Sequence, residues 1–225
     1  MVQKIALTVL WVGFGVYAFF LAPPNRSDTL DLIFNLSSGQ TQGINPLIVA
    51  LFNIMGVLPM AYSCLAYLDG RGQKIPAWLF ASASFFVGAF ALLPYLILRQ
   101  SSPSFSGQKN WFLKLLDSRF VGTLIAIGAI ALLSYGITQG NWANFVQQWQ
   151  TSRFIHVMSL DFCVLCLLFP ILIKDDMTRR GIKDSSLFWV VTLLPLIGPM
   201  TYLALRPPTI ESVPESAPEF AHAGE

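Results

Sequence analysis

Six apolar runs of about twenty residues fill this chain, and each is long enough to cross a bilayer core of roughly 30 Å at about 1.5 Å of helical rise per residue. They fall at Ile5 to Ala22, Ile44 to Leu68, Pro76 to Leu98, Phe120 to Thr138, Phe154 to Ile173 and Leu187 to Leu205. The fold expected is all-α: a polytopic membrane protein of six transmembrane helices with short interfacial helices. Residues are 54% hydrophobic and 12% charged, with a mean hydropathy of +0.59, whereas charged residues approach a quarter of a soluble domain. Most of the 225 residues are consumed by spans, so one bundle over residues 1–206 is expected and no separate globular domain. Beyond Arg206 the composition turns to Pro, Ala and Glu, with Glu211, Glu215, Glu219 and Glu225 and no basic residue, which predicts a disordered tail over 207–225.

Lys4 before the first run imitates a secretory signal, but the run is longer than an h-region and lacks an A-x-A-like site, so it reads as a helix. Prolines 59, 94, 170, 195 and 199 lie inside the runs and predict kinks, tolerated where neighbouring helices satisfy the freed carbonyls. Between runs, Trp142, Phe145, Val146 and Trp149 recur at helical spacing with Asn144, Gln147 and Gln148 opposite, the pattern of a short interfacial helix. Lys109 to Leu116 is a weaker version. A net charge of +2, with basic residues set singly in flanking loops, excludes a nucleic-acid footprint.

On six spans, one side of the membrane would hold Arg26, Arg99, Lys109, Lys114, Arg119, Lys174, Arg179, Arg180 and Lys183, and the other Lys4, Arg71, Lys74, Arg153 and Arg206. Nine against five puts the odd loops on the cytoplasmic or stromal side and both termini across the membrane. Lys4 against a first loop carrying Arg26, Asp28 and Asp31 argues the reverse for the first helix. The second and third runs read as helix, Asp69-Gly70-Arg71-Gly72, Trp78, helix, Tyr95-Leu96-Ile97-Leu98-Arg99. The fifth and sixth repeat the order: helix, Asp176 to Arg180-Gly181, Trp189, helix, Tyr202-Leu203-Ala204-Leu205-Arg206. With three spans per half, the halves would be inverted, with their acidic turns on opposite faces, an arrangement frequent in secondary transporters. Convergence on ordinary helix-end anchors explains the same pattern.

Asp161 is the sharpest single residue. Eight residues into an apolar run, it lies about 12 Å deep, where a charge is costly unless paired. It reads as a proton relay, ion ligand or general acid, or structurally as a partner of a polar group such as Asn53. His156 stands five residues earlier, off Asp161's face of the helix, as an interfacial side chain, a tetrapyrrole ligand or a proton shuttle. Cys163-Val164-Leu165-Cys166 has the spacing of thiol oxidoreductases and metal sites, but within an apolar helix Cys also packs as a small hydrophobe. With His only at 156 and 222, no conventional metal cluster assembles. Ala77, Ala81, Ser84, Gly88 and Ala91 form a stripe of small residues for a neighbouring helix or a flat pigment, with Gly122, Ala126 and Ala129 as a partner surface. Asp175 and Asp176 with Arg179 and Arg180 form a hairpin turn that caps and anchors helices, or, in a functional role, holds Mg²⁺ or a phosphate.

From Phe154 to Arg206, with His156, Asp161, Asp176, Arg180-Gly181, Pro199 and the Tyr-Leu-x-Leu-Arg ending, the chain resembles multi-pass membrane proteins of cyanobacteria and chloroplasts. Over the same segment it is faintly similar to the plant abscisic-acid-deficiency membrane protein family required for neoxanthin formation, at His156, Asp161 and Pro199. That family has four expected spans against six apolar runs here. The resemblance implies a thylakoid location, with the cytoplasmic membrane as the other candidate. The function expected is a scaffold or assembly factor binding membrane lipids, pigment as a cofactor, or subunits of a photosynthetic complex. An intramembrane enzyme acting on a carotenoid or quinone through Asp161 and His156 is the first alternative, and a small secondary transporter the second.

Overall fold

The computed structural model describes residues 1–211 apart from Pro103 and Ser106. Among them the chain is helical, without strands. Helix α1 (Val2–Val16) runs on through a π turn at Tyr17–Leu21; α2 (Thr29–Ser38) lies in the first loop; α3 spans Pro46–Asp69. Two short helices follow, α4 (Ala77–Val87) and α5 (Ala89–Leu98), then α6 (Trp111–Asp117), α7 (Arg119–Gln139), α8 (Trp142–Thr151) and α9 (Arg153–Arg179). The chain closes with α10 (Ser185–Leu193) and α11 (Ile197–Leu205). Four of these elements are long and apolar enough to cross a membrane: α1 with its π turn, α3, α7 and α9.

The third and sixth apolar runs are not spans, which corrects the expected six. Each is broken in the middle and folds back. Helices α4 and α5 are each about 15 Å long at the usual rise, half of a hydrocarbon core, and the chain reverses between them at Gly88, with φ 52° and ψ −127°. Both ends of the hairpin therefore meet: the Gln73 side-chain amide bonds Gln100 through O and N, at 2.8 and 2.7 Å. In the second hairpin Pro195 has no N–H with which to extend α10. Leu196 then turns the chain at φ 64° and ψ −62°, with the Ile197 amide 2.8 Å from the Pro195 carbonyl, the geometry of a strained γ-turn. Pro199 sits in the first turn of α11, where a missing N–H loses no helical bond. Pro59, Pro94 and Pro170 fall in helix interiors, past the first turn.

The hairpins change the symmetry as well. Tyr95 and Arg99 follow Asp69 by 26 and 30 residues, and Tyr202 and Arg206 follow Asp176 by the same 26 and 30. The same shift carries Asn45, the N-cap of α3, onto Ser152, the N-cap of α9, and the reversal at Gly88 onto Pro195. It also carries Tyr62 onto Phe169, and these two rings stack at 4.1 Å in the centre of the bundle. Each half holds two long helices and one returning hairpin, so α3 and α9 run in the same direction and end side by side. The halves are parallel, not inverted, and their acidic turns share one end of the molecule. Of the 14 Lys and Arg, only Arg26 and Arg153 stand at the far end.

The core fills between α3, α5, α9 and α11 around Leu58, Leu65, Leu92, Leu165 and Leu172, all essentially inaccessible. The small residues Ala77, Ala81 and Ser84 are buried where α4 packs against neighbouring helices, and Gly122 lies against the Leu203 backbone of α11. The expected interfacial helix is α8, whose Phe145 and Trp149 cover a satellite cluster of Leu36, Ile48, Val49, Ile155 and Met158 at the far end. Of the tail, residues 212–225 lie outside the described residues. Pro207 to Glu211 return to the bundle: Thr209 is buried and its amide reaches Asp117 Oδ2 at 3.2 Å.

Candidate functional site

At the charged end, each long acidic helix is tied to the return limb of its own hairpin. Asp69, the last residue of α3, accepts the Tyr95 hydroxyl at 2.5 Å, Arg99 Nε at 2.8 Å and Arg99 Nη2 at 2.5 Å. Asp176, near the end of α9, accepts the Tyr202 hydroxyl at 2.7 Å and pairs with Arg206 Nη1 at 3.2 Å. The end of α9 then joins the halves. Arg179 bonds Asp69, and Asp175 bonds Arg99 while accepting Ser101 Oγ at 2.8 Å. Arg180 donates to Asp176 at 2.7 Å and to Asp117 of α6 at 2.6 Å, and Lys109 reaches Asp117 at 2.8 Å.

All of these charges are buried. Burial opposes ionisation of Asp117, but Arg180, Lys109 and Arg206 outweigh it and hold its carboxyl below the ordinary value of 3.8. Burial also works against the Arg99 and Arg180 guanidiniums, and their aspartates reverse that, raising both. Among the described residues, Arg206 Nε is the one side-chain nitrogen or oxygen wholly closed off from the surface that lacks a partner. Asp175, Asp176, Arg179 and Arg180 are thus brought together, but they are spent on one another and on Asp69 and Arg99. They present no open face to a phosphate, and no three described His, Cys, Asp or Glu side chains converge as a metal site. The arrangement is a latch that closes the bases of both hairpins. Asp69, Tyr95, Arg99, Tyr202 and Arg206 had been legible as a repeat, yet helix-end anchoring accounted for them equally well; Asp117 carried no signal.

Asp161 lies at the tip of the first hairpin. The residue is buried, 6% exposed, and Oδ1 accepts the backbone amide of Ala89, the first residue of α5, at 2.9 Å. It therefore caps a helix N-terminus supplied by a different part of the chain, the site where a carboxylate is best placed by the exposed amides and the helix dipole. Oδ2 rests against Gly88, where any Cβ would overlap it, and has no hydrogen-bond partner among the described residues. Asn53 is not the partner: it is exposed and bonds the Val49 carbonyl of its own helix at 2.8 Å. The structural pairing of Asp161 with Asn53 is therefore not made.

His156 is buried at the far end, with Nδ1 2.9 Å from the Trp149 carbonyl and Nε2 2.8 Å from the Tyr17 hydroxyl. A carbonyl only accepts, so Nδ1 donates to Trp149, and Nε2 pairs with the Tyr17 hydroxyl. The π turn after α1 brings Tyr17 to this position. Trp149 stacks on the imidazole at 4.2 Å. Both ring nitrogens are thereby engaged, and His156 does not meet Asp161. Cys163 faces outward and Cys166 inward, both as free thiols. No family model, curated protein or solved structure matches this chain.

Proposed function

We propose that the chain is an integral membrane scaffold that holds an apolar partner against the tips of its two hairpins. The observation that carries this reading is incomplete cover. Non-helical backbone at membrane depth is tolerated where protein or a water-filled cavity surrounds it. The inner side of the first tip has Asp161. Its outer side leaves Phe86 90% and Val87 50% exposed, and the second tip leaves Leu193 70% and Leu194 52% exposed. A transmembrane helix of a complex subunit, or a flat pigment, has the apolar surface to cover them. The concentration of Lys and Arg at the latch end favours an orientation with both termini and the latch on the cytoplasmic or stromal side. The photosynthetic membrane enters this reading through the resemblance of the segment from Phe154 to Arg206.

Gentle purification from the native membrane, with absorption spectra and mass spectrometry, tests it when combined with photo-crosslinking residues at Phe86 and Leu193. Ile127, exposed on α7, is the control. A stoichiometric pigment, or one subunit crosslinked at the tips and not at Ile127, supports the scaffold. A colourless, solitary protein crosslinked only to lipid at all three positions overturns it.

The unpartnered Oδ2 of Asp161 favours a second reading, an enzyme acting within the bilayer on a carotenoid or quinone with Asp161 as acid or base. Asp161→Asn keeps an oxygen for the Ala89 amide and removes the titratable group. Lost product at unchanged protein abundance supports catalysis, and unchanged product at that abundance excludes it.

A further inference from the structure

Beside the latch, on the outer surface of α9, a groove of about 430 Å³ opens between the end of α9 and the start of α10. Its floor is apolar, built from Met177, Ile182 and Phe188, and Lys174 and Lys183 stand at its mouth. Both lysines are exposed and, unlike Arg179 and Arg180 next to them, neither makes an ion pair among the described residues. The one carboxylate on the groove, Asp184, is engaged: its Oδ1 accepts the amides of Ser186 and Leu187, capping α10 at 2.8 and 3.3 Å. The α10 N-terminus is therefore occupied from within, and attraction for an anion at this place comes from the lysines.

We propose that this groove binds an anionic glycerophospholipid, with its phosphate between Lys174 and Lys183 and its glycerol and upper acyl carbons on Met177, Ile182 and Phe188. The volume lies within the range of small-molecule pockets and exceeds what a bare phosphate fills, and the apolar floor has no use for a free ion. The groove also sits at the end of the molecule where the basic residues collect, the side that faces the anionic leaflet when positive charge is inside. Lysines at such a surface favour anionic over zwitterionic headgroups through their charge alone. This site is separate from the hairpin tips and is independent of what covers them.

The test is native mass spectrometry of the full chain, delipidated in detergent and then offered phosphatidylglycerol or phosphatidylcholine. The variants are Lys174→Gln/Lys183→Gln and, as a control at the same end outside the groove, Lys114→Gln. The expected result is one retained phosphatidylglycerol, preferred over phosphatidylcholine by about tenfold or more, in the wild type and in Lys114→Gln, and lost in the double variant. Equal retention of the two lipids, or retention of phosphatidylglycerol by the double variant, overturns the proposal. Displacement of the lipid by inorganic phosphate in excess would make the groove a free-anion site and overturn the lipid assignment.

Discussion

Asp161 and Gly88 act as one unit, a carboxylate and the only residue type that leaves room for it. Ala89's amide is one of the orphan donors at a helix start, and at this depth it has no water to turn to. Asp161→Ala should therefore lower stability by roughly 0.5–2 kcal/mol, the usual loss of a cap, and Asp161→Asn by less, as read from melting in detergent. Gly88→Ala is expected to cost more. Its positive φ alone is worth roughly 1–3 kcal/mol, before the overlap of its Cβ with Asp161. The rarity of a carboxylate in an apolar run made Asp161 legible in the sequence. Its partner was not, because a backbone amide has no residue type to signal it. Asp117 gives the pH dependence. Its carboxyl sits below 3.8 in the folded chain, so near that pH the unfolded chain binds more protons. The stability it contributes is complete above that value and is lost as pH falls through the lowered folded one. Between about pH 6 and about pH 3 the gap in melting temperature between wild type and Asp117→Asn should narrow; a constant gap would deny the shift.

At the scale of elements, the hairpins are held by their bases. Apolar packing positions α4, α5, α10 and α11, but Asp69 with Tyr95 and Arg99, and Asp176 with Tyr202 and Arg206, fix where each return limb ends. Removing one member strands a buried charge, which typically costs about 3–5 kcal/mol. Asp69→Ala leaves Arg99 and Arg179 short of a partner and should fall in that range, with aggregation during extraction as a second readout. Lys114→Ala, at an exposed position of α6, should be neutral. The helices themselves were readable from apolar runs, including α8 and its half-buried Phe145 and Trp149. The breaks were not, since hydropathy measures how apolar a segment is and not which way it runs. Gly88 also fell in a regular stripe of small residues, which hid a reversal inside what looked like helix packing.

Across the whole molecule, the two hairpins convert an ambiguous charge distribution into a one-sided one and an inverted repeat into a parallel one. Both follow from the same fact, that Arg99 returns to Asp69 and Arg206 to Asp176. Accessibility of single cysteines at Gln40, Gln73 and Lys183 in sealed vesicles, with Cys64, Cys163 and Cys166 replaced, tests that fact most directly. With four spans and two returning hairpins, an impermeant thiol reagent should label positions 73 and 183 from one side and position 40 from the other. Labelling of 73 and 183 from opposite sides would require the third run to cross the membrane, and would contradict the first hairpin, the parallel halves and the shared latch together.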